Sequence, residues 1–447
     1  MDAPGGGRRS GRTRHDRAGV TEPDRLPLIA DGLRAAADRF GTPVYATDAV
    51  TLGAAGSELR SAFPDPWIRQ FSVKANDVAA IVGSVAAVAR AGANVVSRGE
   101  WSIASRAGIP NESITLEGVG KADADLRAAV RTSARGDGPR WIAVESEDEV
   151  AALAGFAARA GLGRAGRPAL DVLFRLNPDV APETHEGLAV GAGGSKFGMT
   201  ETELAAAIDV ARRAGGGGLR PRGIHLHVGS QLGAIDAWRD SARRALATLA
   251  LLRGQDEAFD TLDLGGGFPV GPIGEPSPRP ERFARELTRL LEALPADRRP
   301  ARLAIEPGRF LVARAGWIVA RVLHVRERSG RQIVIDAGMT ELIRPALYGA
   351  SHGIVALTSL GVARDAVDLA DDHADVHGPI CESTDALGAH RLPALRRGDL
   401  VAIRDAGAYA ASFSSTYNGR PRPPQVVIEP DGRLTLVRRR GSLATLG

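Results

Sequence analysis

Between about residues 65 and 310, eight short apolar runs rich in β-branched residues alternate with longer Ala- and Leu-rich runs of helical period, the pattern of repeated βα units. The strand candidates are 67–73, 93–97, 113–117, 141–145, 170–176, 222–228, 260–264 and 301–306, with helical stretches between them such as 146–160, 202–214 and 235–254. Eight such units in about 250 residues are what a closed (β/α)8 barrel requires.

The rest of the chain has a different texture. With 447 residues it is too long for one ordinary domain. After residue 310, runs at 316–326, 331–336, 399–404 and 424–438 are β-rich and punctuated by Gly and Pro, which predicts a second, antiparallel β domain. Segment 43–48, ahead of the barrel, is a candidate strand of that domain. The expected division is a disordered basic tail over 1–22, a segment over 23–48 that joins the β domain, a barrel over 49–310 and a C-terminal β domain over 311–447. Gly215–Gly218 reads as a flexible loop, and no repeat of solenoid period is found.

Charge and cysteine usage exclude several classes. Of the formal charge of +4, the first 20 residues supply +3 through five arginines and two aspartates, so the folded body is nearly neutral and carries no nucleic-acid footprint. The tail lacks the apolar core of a secretory signal, and no run approaches the roughly 20 apolar residues of a membrane span. A single cysteine forms no intrachain disulfide and fits a reducing compartment, so a cytoplasmic protein is expected.

In a barrel of this type chemistry sits at the C-terminal ends of the strands. Lys74 ends the first predicted strand, Arg175 lies near the end of the fifth, His227 ends the sixth, Gly265, Gly266 and Gly267 follow the seventh, and Glu306 ends the eighth. Lys74 is either a structural lysine or a buried amine suited to Schiff-base chemistry. The glycine run is a simple turn or a row of bare N–H groups for a phosphate, to which Ser230 can add a hydroxyl. A carboxylate at a strand end, as at Glu306, needs a cationic partner, and a protonated pyridine nitrogen is one. Arg309 is either an ion-pair partner of Glu306 or a fork for a substrate carboxylate. His227 is a core histidine or a flat lid for a cofactor ring. Cys381, with Glu382 and Asp385 nearby, suits proton donation better than attack, since neighbouring anions disfavour the thiolate. Taken together these segments describe a pyridoxal phosphate site.

Three motif-like strings are rejected. Gly118-Val-Gly-Lys121 lacks the first glycine and the following Ser or Thr of a phosphate loop. Gly265–Gly267 lacks the spacing of a dinucleotide fingerprint. His373, Asp375 and His377 precede Gly378-Pro379 in an apparent loop, and no metal is assigned to them.

These residues carry a resemblance. Phe40-Gly-Thr-Pro-Val-Tyr45, Val73-Lys-Ala-Asn76, Val95-Val-Ser97, His227-Val-Gly-Ser-Gln231, Leu262-Asp-Leu-Gly-Gly-Gly267 and Glu306-Pro-Gly-Arg309 resemble the fold-type III, pyridoxal phosphate-dependent amino acid decarboxylases. Asp336-Ala-Gly-Met339, Ile343-Arg-Pro-Ala-Leu-Tyr348, Gly378-Pro-Ile-Cys-Glu-Ser383, Ala406-Gly-Ala-Tyr409 and Tyr417-Asn-Gly-Arg-Pro-Arg-Pro423 resemble the diaminopimelate branch more than the ornithine branch. The resemblance spans about residues 40 to 428.

It implies that Lys74 carries the cofactor pyridoxal 5'-phosphate, His227 stacks on its ring, Ser230 and Gly265–Gly267 bind its phosphate, and Glu306 faces the pyridine nitrogen. It further implies that Arg309, Arg344 and Tyr348 hold the substrate's remaining carboxylate, and that Tyr409 reaches the cofactor phosphate beside the substrate. Cys381 as proton donor and Glu382 as reader of the distal amino acid centre would come from the other subunit of a homodimer. The implied reaction is decarboxylation of meso-2,6-diaminopimelate to L-lysine, in lysine biosynthesis. A related decarboxylase acting on another or a carrier-tethered amino acid, and a catalytically inactive regulatory homologue, stay open. Two departures bear on substrate choice: Asn94 stands where the family shows an acidic residue, and segment 184–195, in the position of the family's mobile loop, is unusually glycine-rich.

Overall fold

The computed structural model describes residues 24–446 apart from 165, 181–190, 192–193, 215–217, 233–234, 272–276, 358–362 and 365–372. The basic tail, most of the glycine-rich segment 184–195 and most of the 215–218 loop therefore lie outside the described residues.

The chain begins with helix α1 (Leu26–Phe40), started by a proline in its first turn and stopped by Gly41 at φ +72°. Its buried residues Leu26, Ile29, Ala30, Leu33, Ala36 and Ala37 recur at helical spacing and form one apolar stripe. Strand β1 (Val44–Asp48) follows. Asp48 then caps helix α2 (Ala49–Ala62), its carboxylate accepting from the Thr51 amide at 3.2 Å and from Arg25 Nε at 2.7 Å.

Eight parallel strands close into a barrel: β2 (Ile68–Ser72), β3 (Gly92–Val95), β4 (Ile114–Leu116), β5 (Trp141–Val144), β6 (Leu170–Leu176), β7 (Leu219–Leu226), β8 (Thr261–Asp263) and β9 (Arg302–Ile305), with β9 pairing back onto β2. Six of these strands lie within their predicted runs, while β3 begins one residue and β7 three residues ahead of theirs. Alternation along them separates two layers. Ile142, Val144, Val172 and Phe174 join the large core shared with the helices, while Trp141, Ala143, Leu173 and Ala304 form a separate cluster. That second set fills the barrel interior, so the lumen is packed and chemistry is confined to the rim.

The second domain is one 10-stranded sheet. Its remaining strands are β10 (Gly316–Glu327), β11 (Arg331–Ile335), β12 (Ile354–Leu357), β13 (Ala363–Arg364), β14 (His373–His377), β15 (Ala386–Arg391), β16 (Leu400–Ile403), β17 (Gln425–Ile428) and β18 (Leu434–Arg438). The order is β13-β12-β16-β10-β1-β17-β18, with β11, β14 and β15 branching from β10. β1 runs antiparallel to β10 and parallel to β17, so the segment ahead of the barrel is an interior strand of this sheet. The stripe of α1 packs on it against Val44, Trp317, Val319, Val355 and Val426. His373, Asp375 and His377 lie on β14 rather than in a loop, with His373 and Asp375 on its exposed face.

The two domains are clamped beside Lys74. Asn76 Nδ2 donates to the Gly407 carbonyl at 3.0 Å, and the Tyr409 amide donates to the Ala75 carbonyl at 2.8 Å.

Candidate active site

β2 ends at Ser72, and Lys74 occupies a single 3-10 turn, Val73–Ala75, whose flanking Val73 and Ala75 are fully packed. The lysine itself points outward and is exposed. The expectation of a buried amine is thus corrected: the strand stops before residue 74, and the turn swings the side chain into a cavity open to solvent. That cavity, about 340 Å³, is lined by Lys74, Val96, Glu117–Gly120, Arg175, Phe197, His225, His227 and Glu306. All the strand-borne members come from the C-terminal ends of barrel strands.

Glu306 follows β9. Its backbone is fixed on both sides, the amide donating to the Gly265 carbonyl at 2.8 Å and the carbonyl accepting from Ser72 Oγ at 3.1 Å. Its buried carboxylate accepts from Asn94 Nδ2 at 2.5 Å and lies 3.5 Å from His225 Nε2, which is itself 3.3 Å from Glu117 Oε2. Burial, then the nearby Glu306, pushes the Glu117 carboxyl up to about 8. Burial raises Asp263 well above the usual carboxylate range and lowers the His225 imidazole to about 4. At neutral pH, then, the Glu117 carboxyl is largely protonated and His225 is a neutral ring, while Asp263 is pushed toward its protonated form.

His227, one residue past β7, receives the Gly266 amide on Nδ1 at 3.2 Å. Nδ1 is therefore the acceptor and the ring proton sits on Nε2. Burial, then the charges of Lys74 and Arg175, holds this imidazole well below its ordinary pKa. The glycine run is required sterically: Gly265 and Gly267 have φ of +64° and +103°, and a Cβ on Gly266 would collide with the Glu306 carbonyl.

Arg175 lines the cavity, but its Nη1 is paired with Glu145 Oε1 at 2.6 Å and its guanidinium stacks on Phe197, 5.0 Å from the ring centre. Glu145 also accepts the Gly198 amide at 3.1 Å. Arg175 thus fastens the segment returning from the glycine-rich stretch to the barrel rim.

Beside the cavity stand two buried arginines. Arg309 donates to Ser230 Oγ at 3.3 Å and lies over the Tyr409 ring at 4.6 Å, rather than pairing with Glu306. Arg344 opens the short helix Arg344–Tyr348 and donates to His352 Nε2 at 2.8 Å. Burial, then repulsion from Arg309, lowers the Arg344 guanidinium to about 10. The Nε of each arginine is buried without a hydrogen-bond partner among the described residues.

Cys381 and Glu382 are not brought to this cavity. They sit exposed on the β domain, where Asn418 Nδ2 donates to Cys381 Sγ at 3.3 Å and Tyr417 OH donates to Glu382 at 2.7 Å. Asp385, read from sequence as an acidic neighbour of the thiol, instead turns inward and accepts the amides of Met339 and Ile380 at 2.6 and 2.7 Å.

Sequence reasoning missed Asn94 as a partner of Glu306, and Glu117, His225 and Glu145. The rejected Gly118–Lys121 string also belongs to the site: its glycines line the cavity, while Lys121 is buried against Glu149 at 2.9 Å. Glu117 and Glu145 end their predicted strands, whereas Asn94 and His225 lie inside theirs and gave no such local signal.

Residues 52–313 match the pyridoxal binding domain of the pyridoxal-dependent decarboxylases. The chain is 38% identical to a diaminopimelate decarboxylase of Deinococcus radiodurans, over 90% of this chain and 94% of that one. It is 34% identical to another from Aquifex aeolicus over 91% of each. Among solved structures, a Helicobacter pylori diaminopimelate decarboxylase complexed with L-lysine superposes with a TM-score of 0.81 at 27% identity, covering 92% of this chain and 98% of that one. The cavity fits the cofactor of that family on its own chemistry: an amine and a carboxylate share its wall, a neutral imidazole of fixed tautomer stands between them and the glycine turn, and that turn excludes side chains. On sequence, fold and site geometry the chain belongs to the pyridoxal-dependent decarboxylases.

Proposed function

We propose that this chain decarboxylates meso-2,6-diaminopimelate to L-lysine and CO2. The observation that carries the reading is the pair Arg309 and Arg344, two buried guanidiniums that repel each other and keep unmatched Nε donors. Such a pair is stabilised by an anion. A diamino diacid supplies one, because the carboxylate on its far centre remains when the near one leaves, whereas ornithine has no second carboxylate.

Lys74 would hold the cofactor through its amine, with Glu306 opposite the ring nitrogen, His227 against the ring face, and Ser230, Gly265, Gly266, Gly267 and Tyr409 around the phosphate. Pyridoxal phosphate, when bound, captures the substrate amine and takes up the electron pair released with CO2. Glu306, held by the Asn94 amide, is the carboxyl group placed to face the ring nitrogen. Arg175 acts through Glu145 by holding the Phe197–Gly198 segment on the rim. Arg309, Arg344 and Tyr348 bind the far carboxylate and so separate a diamino diacid from an amino acid with a single carboxylate.

Cys381 and Glu382 serve the site of a second copy in a homodimer, the thiol returning a proton to the reacting carbon and Glu382 meeting the far ammonium. Their exposure on the β domain, with Leu347, Phe413 and Tyr417 also exposed, supports that arrangement. The lone cysteine fits a cytoplasmic setting.

The purified protein should show a visible absorption abolished by borohydride, and should release CO2 from meso-diaminopimelate faster than from ornithine, lysine or arginine. Turnover of one of the latter three in preference to the diacid would refute the reading.

A further inference from the structure

His352 is four residues past the end of the Arg344–Tyr348 helix, and Gly349, in the left-handed conformation at φ +61°, turns the chain back so that this histidine meets Arg344. It is buried, 3% exposed, and both ring nitrogens are engaged. Nε2 lies 2.8 Å from Arg344 Nη1, which has only hydrogens to give, so Nε2 accepts. Nδ1 lies 2.9 Å from the Arg404 carbonyl, which can only accept, so Nδ1 carries the proton. The tautomer is fixed by its two partners.

The far side of this contact is rigid. The Arg404 amide donates to the Gly353 carbonyl at 2.8 Å, continuing the β12–β16 ladder. The Arg404 guanidinium takes both oxygens of Asp24, at 2.7 and 2.8 Å, and lies 4.9 Å from the Trp317 ring centre. The chain Asp24, Arg404, His352, Arg344 therefore runs from the start of the first helix through the sheet to the edge of the site.

We infer that His352 is a positioning residue for substrate selection: as a neutral acceptor it holds the Arg344 guanidinium toward the far carboxylate of the substrate without neutralising its charge. An Asp or Glu at that position would form an ion pair with Arg344 and weaken its hold on a substrate anion. An apolar residue would leave a buried guanidinium donor unmatched. An imidazole satisfies one N–H and leaves the positive charge for the ligand. Protonation of the ring would remove the acceptor; burial, then Arg344, keeps the imidazole down at about 4, so the contact persists at neutral pH.

The inference rests on the proposed role of the arginine pair, and the test separates the two. In the holoenzyme, His352→Asn keeps a donor for the Arg404 carbonyl and loses the acceptor for Arg344, while His352→Gln can place an amide oxygen where Nε2 lies. The Asn variant should raise KM for meso-diaminopimelate and the inhibition constant of L-lysine, which retains the far carboxylate, at least tenfold, with kcat changed less than threefold. The Gln variant should bring both constants back to within threefold of wild type. Inhibition by cadaverine, which has no carboxylate, should stay within twofold in either.

Unchanged constants in His352→Asn would overturn the inference, as would a loss confined to kcat, an equal weakening of cadaverine, or failure of that variant to fold. A parallel Arg344→Met protein locates the fault. If it too binds L-lysine as wild type does, the arginine pair is not the carboxylate site; if only the histidine variants are silent, His352 alone is dismissed.

Discussion

Asn94 Nδ2 lies 2.5 Å from Glu306 Oε1, so the carboxylate after the last barrel strand accepts a hydrogen bond from a neutral amide. The departure from an acidic residue at position 94 thus acts directly on the Glu306 carboxylate. With the Glu117 and Asp263 carboxyls already raised by burial and by Glu306, a further buried carboxyl here is driven toward its protonated form.

Asn94→Asp should therefore destabilise the protein in a pH-dependent way. A buried acid whose folded pKa is raised keeps its stability at low pH and loses it as pH rises through the folded value. The melting temperature of the variant should approach wild type near pH 5 and fall several degrees below it at pH 8. An offset that stays constant across this range would contradict the account.

Glu117 allows the complementary experiment. Its carboxyl is raised to about 8 from an unfolded value of about 4.3, so wild type loses stability as pH rises between those values. Glu117→Gln keeps the shape of the neutral acid and removes its titration. Melting curves from pH 5 to 9 should be flatter for the variant, with a relative gain on the order of 1–3 kcal/mol at the alkaline end. Parallel curves would show that Glu117 does not titrate in this window.

The barrel strands were legible because a parallel strand is buried on both faces and reads as an unbroken apolar run; Leu170–Leu176 is buried at every position but one. The sheet branch was not, because β14 and β15 are half-exposed and carry His, Asp and Gly, which imitate a loop. Helix α1 lies ahead of the βα repeat and was not assigned, although its apolar spacing is helical. Within the site, Lys74, His227, Glu306 and the glycines were visible as chemical motifs at strand ends. The meeting of Glu117, His225 and Glu306 was not, since it is made by strands β4, β7 and β9 closing around one axis, a relation no local window contains.

The arginine pair predicts a graded effect. Arg309→Lys retains the charge but loses the fork that reaches Ser230 and the stacking on Tyr409. KM for meso-diaminopimelate should rise roughly 10- to 100-fold, the range of one or two charge-assisted hydrogen bonds. Cofactor absorbance at saturating pyridoxal phosphate should persist. Loss of that absorbance with unchanged KM would place Arg309 at the cofactor instead.

The separation of Lys74 from the exposed Cys381 and Glu382 predicts complementation between subunits. If each site combines Lys74 of one copy with Cys381 of the other, Lys74→Ala and Cys381→Ala homodimers each contain two damaged sites. A hybrid dimer instead contains one site with both lesions and one intact site. Equal mixing followed by reversible dissociation makes half the dimers hybrid, so activity should recover to roughly a quarter of wild type from two nearly inactive parents. A site built within one chain gives no such recovery, because every subunit then carries its own lesion. Activity that stays at the parental level in a mixture shown to contain hybrids would therefore place the thiol outside a shared site.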